Sequence, residues 1–220
     1  MERIKTGKEK QYAYKVEYSR YKKALSNEFY LEGLVIGYAI IEDRLISFLH
    51  YCGIVTRNKD NLVINKPIYP YIRVLLNKTE CHSIKVKDIR VKMDIIEAIL
   101  KLDKESAKRI ENETQLIIDN SNIGKKRKRR FLKGYMNDLY EIKTTLDCKH
   151  IIDLFSTNLE SWRNNRNQLI HALLNNKVDS VSEVKKEIAE QGYSLSREID
   201  NNLVKPIKKK VAIRKKYNIQ

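Results

Sequence analysis

Apolar side chains recur at three- and four-residue steps along most of this chain, which is the spacing of one face of an α-helix. The first such pattern predicts a helix over residues 8 to 26, and we interpret its aromatic stripe as a packing surface. The stripe consists of Tyr14, Tyr18, Tyr21 and Leu25. Residues 28 to 52 are apolar on most faces and predict a central helix, which Gly53 is expected to end.

The rest of the chain alternates between an irregular segment and further helical patterns. Residues 54 to 67 look irregular, because TRNKDN predicts a turn and Pro67 and Pro70 follow. The sequence YPYIRVLLN then predicts a short helix. Longer helical patterns cover residues 85 to 119, 129 to 146, 148 to 175 and 180 to 204. Pro206 is expected to end the last of them, because proline disrupts a helix interior.

The composition supports an all-α protein. Only 7 Gly and 3 Pro occur among 220 residues, whereas helix-forming Leu, Lys and Glu are abundant. Apolar residues make up 42% of the chain, enough for a hydrophobic core at this length. We predict one helical domain over residues 1 to 205, in which residues 54 to 125 are an elaboration, followed by a basic tail over residues 206 to 220.

The positive charge of the chain predicts a polyanionic partner. Lys and Arg number 44 against 28 Asp and Glu, which gives a net charge of +16 and favours nucleic acid. Six consecutive basic residues are the candidate RNA contacts: Lys125, Lys126, Arg127, Lys128, Arg129 and Arg130. This run forms either a loop or the first turn of the next helix, where a bound phosphate would relieve its conflict with the helix dipole. A solvated run without a ligand is the alternative, and base stacking on the tyrosine stripe is a further one.

The remaining composition predicts a cytoplasmic protein. The cysteines, Cys52, Cys81 and Cys148, are far apart and form no CxxC pair, so reduced thiols are expected. The N-terminus is charged from its second residue, unlike a signal peptide. The longest apolar run, LVIGYAII, is too short to span a bilayer, so no membrane association is predicted. The histidines show no metal-ligand spacing, and neither a metal nor a cofactor is expected.

The most informative segment is RNNRNQLIHALL, residues 163 to 174. On a helix, Arg166 falls in register with the core-facing residues Trp162, Leu169 and Leu173. A second stripe, more than 100° away by the same geometry, carries Glu160, Asn164, Asn167 and His171. A guanidinium that faces a core requires acceptors, and Glu42 or Asp43 on the central helix are candidates. The alternative is a structural ion pair at Arg166 and a surface histidine at position 171.

The residues RNQLIH, with Arg166, Asn167 and His171, resemble the signature of HEPN domains, an arginine followed after four to six residues by a histidine. In that superfamily a polar residue typically follows the arginine. The resemblance implies an antiparallel helical bundle and fits residues 28 to 52 and 129 to 175 best. It also implies that an acidic residue on an early helix meets the arginine, which corresponds to Glu42 here.

The resemblance implies a metal-independent endoribonuclease that works as a homodimer, with two copies of the motif facing one cleft. His171 would transfer protons, Arg166 would stabilise the phosphate and Asn167 would position groups, with Glu42 and Asn164 in support. Such enzymes commonly act in toxin–antitoxin or anti-phage defence systems. HEPN toxins paired with a nucleotidyltransferase carry a modifiable tyrosine two residues after the histidine, whereas Leu173 stands here. Neutralisation by modification at that position is therefore not expected.

Two other function classes stay open at this point. In the first, the protein is a non-catalytic RNA-binding module in which Arg166 and His171 are structural. In the second, it is an interaction protein whose basic tail docks on an acidic partner such as an antitoxin.

Overall fold

Helix-forming residues with few breakers give a chain that is helical through most of its described length. The computed structural model describes residues 7–58, 61–77, 84, 86–119, 125–174 and 182–208. Most of these residues lie in helices, and a two-stranded hairpin accounts for the only sheet in the described part. The all-α prediction is therefore confirmed at the level of fold class.

The chain divides into two compact units that each combine distant segments of the sequence. Unit 1 consists of Met1–Arg44 and Asp153–Asp200, and unit 2 consists of Leu45–Ile152 and Asn201–Gln220. The candidate residues of the RNNRNQLIH segment and Glu42 belong to unit 1, whereas the basic run at positions 125 to 130 belongs to unit 2.

The described part of unit 1 is built from helical segments. Helix α1 (Gly7–Ser26) and helix α2 (Tyr30–Tyr51) match the predicted ranges of 8 to 26 and 28 to 52. Helix α2 begins in unit 1 and continues into unit 2. Further along the chain come a π-helical segment (Leu154–Leu159), helix α8 (Glu160–Leu174) and helix α9 (Ser182–Ile199).

The core of unit 1 forms around Tyr21 of the aromatic stripe. This side chain is fully buried and donates a hydrogen bond of 2.7 Å to the carbonyl of Ala189. Gly33 and Gly37 allow α2 to approach the ring, because a Cβ at Gly37 would fall on the Tyr21 hydroxyl. Tyr14, Tyr18 and Leu25 are partly buried and pack against the same cluster, which confirms the interpretation of the stripe as a packing surface.

Unit 2 begins with the end of α2 and a β-hairpin that the sequence pattern did not predict. Strands β1 (Val55–Asn58) and β2 (Asn61–Ile64) pair antiparallel with Val55 opposite Ile64. The prediction of an irregular segment was wrong here, because four-residue strands are too short to show a clear alternation. Gly53 has φ 71°, so the predicted stop after α2 is confirmed.

The helices of unit 2 follow the hairpin and a 3-10 turn (Lys66–Ile68). They are α3 (Tyr69–Leu75), α4 (Ile89–Leu100), α5 (Lys104–Asp119), α6 (Lys125–Thr144) and α7 (Cys148–Asp153). The helical pattern predicted over residues 85 to 119 thus corresponds to two helices, α4 and α5. Asp103 starts the second helix, because its carboxylate accepts a hydrogen bond of 2.6 Å from the Ser106 backbone amide.

The last described segment departs from the expected stop at Pro206. A second π-helical segment (Asp200–Val204) continues into helix α10 (Lys205–Lys208), so the helical conformation runs past the proline. Pro206 follows the π-helical segment by two residues, and it is the residue of this continuous helical stretch that donates no backbone N–H. The predicted tail beyond residue 208 lies outside the described residues.

Candidate functional site

Helix α8 carries four of the five candidate residues of unit 1, and buried residues fix its orientation. Trp162 is fully buried and donates a hydrogen bond of 2.8 Å from Nε1 to the carbonyl of Ile188 on α9. Leu169, two turns further along α8, is also buried, as the predicted stripe requires. Arg166 lies between these two residues in sequence and is half-buried. The side chain of Leu173 lies outside the described residues.

The guanidinium of Arg166 rests on an aromatic ring. Its Cζ lies 4.2 Å from the centroid of Tyr38, a half-buried residue of α2. Nη1 donates a hydrogen bond of 3.1 Å to the Asn167 side-chain oxygen. Nε is buried and has no hydrogen-bond partner. Arg166 is therefore held by a neutral ring and a neutral amide.

The expected carboxylate partner of Arg166 is replaced by this ring. Within the described residues, no carboxylate forms an ion pair with Arg166. Asp43 is 3.0 Å from Nη2 of Arg44 and 3.3 Å from Nζ of Lys10. Glu160 pairs with Arg163 at 2.8 Å, one turn along α8. Glu42 is half-buried on α2, four residues after Tyr38.

Tyr38 is the contact that the sequence interpretation missed. It lies one helical turn before Glu42, so the two residues are neighbours on the surface of α2. The prediction therefore selected the correct helix for a partner of Arg166 but a different residue on it. A tyrosine at this spacing is a signal that could have been read, because a guanidinium also stacks on aromatic faces.

A second arginine in unit 1, Arg44, has its charge neutralised by carboxylates. Arg44 is buried and stacks on Tyr14, with its Cζ 3.5 Å from the ring centroid. Its Nη1 is 2.9 Å from Asp200 and its Nη2 is 3.0 Å from Asp43. Two carboxylates thus balance this charge, and they make Arg44 a structural residue.

Two residues of the polar stripe of α8 are more exposed than Arg166. His171 and Asn164 are exposed, and Asn167 is half-buried. His171 follows Asn167 by four residues, so the two side chains are neighbours along one face of the helix. The helix therefore presents an imidazole, an amide and a stacked guanidinium within two turns.

The structure describes the backbone of the basic run, residues 125 to 130. Lys125 to Arg130 form the first turns of α6, so of the two alternatives the structure shows the helix. Their side chains lie outside the described residues. No group of three or more His, Cys, Asp or Glu residues in the described ranges is arranged to hold a metal ion.

No protein-family model matches the sequence, and comparisons with curated proteins and with solved structures find no match. Any assignment of function therefore rests on the sequence and the geometry of this chain. Among the helices of the described part, none has both the length and the apolar character needed to cross a membrane.

Proposed function

We propose that this protein is a metal-independent endoribonuclease of the HEPN type, with α8 carrying the cleavage site. The observation that supports it is the state of Arg166. The guanidinium is held in place by Tyr38 and Asn167, and neither neutralises its charge. An arginine kept in this way can bind a phosphodiester without first giving up a carboxylate.

His171 supplies the proton transfer in this proposal. Imidazole can act as acid or base near neutral pH, and the His171 side chain is exposed to an incoming substrate. The 2′-oxygen loses its proton to one histidine and attacks phosphorus, and the 5′-oxygen leaves with a proton from the other. The products are a 2′,3′-cyclic phosphate and a 5′-hydroxyl. A homodimer provides both histidines, one from each protomer.

The other candidate residues have supporting roles. Asn167 orients Arg166 through their hydrogen bond. Asn164 is exposed on α8, one turn before Asn167. Glu42 lies beside Tyr38 on α2 and belongs to the border of the site. The biological setting that we propose is a cytoplasmic toxin–antitoxin or anti-phage defence system, with an antitoxin as regulatory partner.

A non-catalytic RNA-binding protein is the second candidate. It is favoured by the net charge of +16 and by the six basic residues that open α6. In this alternative the phosphate contacts provide the affinity, and Arg166 contributes one cation among many.

The deciding experiment incubates purified protein with a mixed RNA substrate in EDTA. Wild type is compared with His171→Ala and Arg166→Ala, and circular dichroism checks that each variant is folded. His150→Ala is the matched control, because His150 is also exposed but lies on α7 of unit 2. We expect cleavage with cyclic phosphate ends by wild type and His150→Ala only. Equal cleavage by His171→Ala would reject the proposed site, and RNA binding without cleavage would favour the second candidate.

A further inference from the structure

Two arginine–tyrosine stacks in unit 1 differ in one respect that bears on function. In the first, Arg44 lies on Tyr14 and is also paired with Asp200 and Asp43. In the second, Arg166 lies on Tyr38 and has an amide oxygen as its hydrogen-bond acceptor. Both arginines thus rest on a tyrosine ring. Arg44 also has carboxylate counter-ions, whereas Arg166 has none among the described residues.

An aromatic ring holds a guanidinium in a way that a carboxylate does not. The negative face of the ring attracts the cation and fixes its plane, but the ring carries no net charge. The positive charge therefore stays available to an anion that approaches the edges of the guanidinium. A carboxylate at the same place would compete with that anion for the same donors.

The buried Nε of Arg166 points to the same conclusion. It has no hydrogen-bond partner, and an unsatisfied buried donor normally costs stability. Buried polar groups in folded proteins are nearly always satisfied, so the exceptions call for a functional explanation. Nε itself is shielded from solvent, so an incoming phosphate would meet the Nη edge of the guanidinium, whose charge no acceptor at Nε reduces.

We infer that Tyr38 is a positioning residue, whose ring presents the Arg166 guanidinium, unneutralised and in a fixed plane, to a phosphodiester oxygen. This inference rests on the proposed ribonuclease function, and it assigns the substrate contact of that site to a pair of residues on α2 and α8. Tyr38 acts through Arg166 and does not itself touch the reacting atoms.

The first test compares Tyr38→Phe, Tyr38→Trp and Tyr38→Leu in steady-state RNA cleavage. Phenylalanine and tryptophan keep an aromatic face, so we expect kcat within about threefold of wild type. Leucine keeps apolar volume but loses the face, and we expect kcat to fall by about tenfold to a hundredfold, with a smaller change in KM. Tyr14→Leu is the matched control, because it removes the ring beneath Arg44, and it should leave kcat unchanged.

A double-mutant cycle separates positioning from general stability. The cycle uses Arg166→Lys, which keeps a cation but removes the planar guanidinium. In that background Tyr38→Leu should cause little further loss of kcat, because the group that it positions is gone. The same additional loss in both backgrounds would overturn the inference. So would wild-type kcat in Tyr38→Leu. The fluorescence of Trp162, the only tryptophan of the chain, reports whether each variant retains the fold of unit 1.

A binding readout keeps the inference testable if the wild type does not cleave RNA. In protein with isotope-labelled arginine, the Nε–H resonance that is absent from Arg166→Ala identifies Arg166. Titration with inorganic phosphate should shift this resonance in wild type and Tyr38→Phe, but not in Tyr38→Leu. A shift without cleavage would reject the ribonuclease and keep the positioning role of Tyr38. Cleavage with an equal shift in Tyr38→Leu would keep the ribonuclease and reject the role of Tyr38.

Discussion

Arg44 and Asp200 form an ion pair of 2.9 Å between residues that are 156 positions apart in the sequence. Only 9% and 13% of their side-chain surfaces are exposed, so the attraction is weakly screened. The pair joins α2 to the start of the second π segment within unit 1. Because a buried charge without its partner is costly, this pair should contribute strongly to the stability of the fold.

We expect Asp200→Asn to lower the free energy of unfolding by about 3 kcal/mol. This value lies at the low end for a broken buried pair, since Asp43 still contacts Arg44. Urea unfolding followed by Trp162 fluorescence measures the change. Asp153→Asn, at an exposed position of the same unit, is the control and should be close to wild type. A loss below about 1 kcal/mol would mean that Asp43 alone is sufficient for Arg44.

Gly192 provides a second stability test, because α9 passes close to two aromatic side chains there. A Cβ at this position would lie 2.8 Å from Cζ2 of Trp162 and 2.8 Å from the Tyr21 hydroxyl. Both rings are fixed by hydrogen bonds to the carbonyls of Ile188 and Ala189, so they cannot easily move away. Gly192→Ala should therefore destabilise unit 1 by about 1–3 kcal/mol through overpacking.

This change has a sharp control on the same helix. Ser194→Ala, at an exposed position of α9, should be neutral or slightly stabilising because alanine favours helix. Both variants are compared by thermal and urea unfolding. If Gly192→Ala were as stable as Ser194→Ala, the close approach of α9 to Trp162 would be incorrect.

The stability of the protein should fall at alkaline pH, and Cys52 is one cause. Burial raises the pKa of the Cys52 thiol well above its ordinary value. In the unfolded chain this thiol ionises from about pH 8.5, whereas in the folded chain it stays protonated. The stabilisation is therefore complete below that pH and is lost as the pH rises toward the folded pKa. The expected slope is about 1.4 kcal/mol per pH unit for this group.

The slope of stability against pH separates the ionisation of the Cys52 thiol from other effects of substituting this residue. Cys52→Ala creates a small cavity that shifts stability by a constant amount, but it removes the ionising group. Urea unfolding between about pH 8 and pH 10, followed by circular dichroism, should show a shallower decline for this variant. Parallel curves for wild type and Cys52→Ala would exclude the thiol as a source of the decline.

The basic run that opens α6 should govern the salt dependence of RNA binding. Replacing all six residues from Lys125 to Arg130 with glutamine should weaken binding to single-stranded RNA. The slope of log affinity against log salt should fall by up to about 4, since each phosphate contact contributes about 0.7. Changing Arg127, Arg129 and Arg130 to lysine retains the charge and is the control. An unchanged slope in the glutamine variant would place the RNA contacts elsewhere on the chain.

The sequence predicted long helices well and short or long-range features poorly. Helices α1 and α2 were found because their apolar periodicity extends over twenty residues or more. The β1–β2 hairpin was missed because each strand has four residues. The break between α4 and α5 was missed because the apolar positions of the two helices continue nearly in phase across Asp103.

The candidate site was only partly predictable for a related physical reason. A sequence shows which helix face carries Arg166, but the residue that meets it depends on how α2 packs against α8. Glu42 and Tyr38 are one turn apart, so both were compatible with the pattern. Electrostatics favoured the carboxylate, whereas the packed structure places the ring of Tyr38 under the guanidinium. Arg44, whose partner Asp200 is far along the chain, could not be paired from sequence at all.

The π segment before α8 has a consequence for the inheritance of the motif. The N–H of Glu160 reaches back to the carbonyl of Phe155, five residues earlier, so this stretch holds an additional residue compared with an α-helix. The wide π turn accommodates this residue, whereas the same residue in a regular α-helix would turn α8 by about 100° relative to the buried Leu154 and Phe155. Arg166 would then leave the ring of Tyr38 although no motif residue had changed. The orientation of Arg166 thus depends partly on the number of residues before α8 and on the π turn that accommodates them. A comparison of the motif residues alone does not detect this.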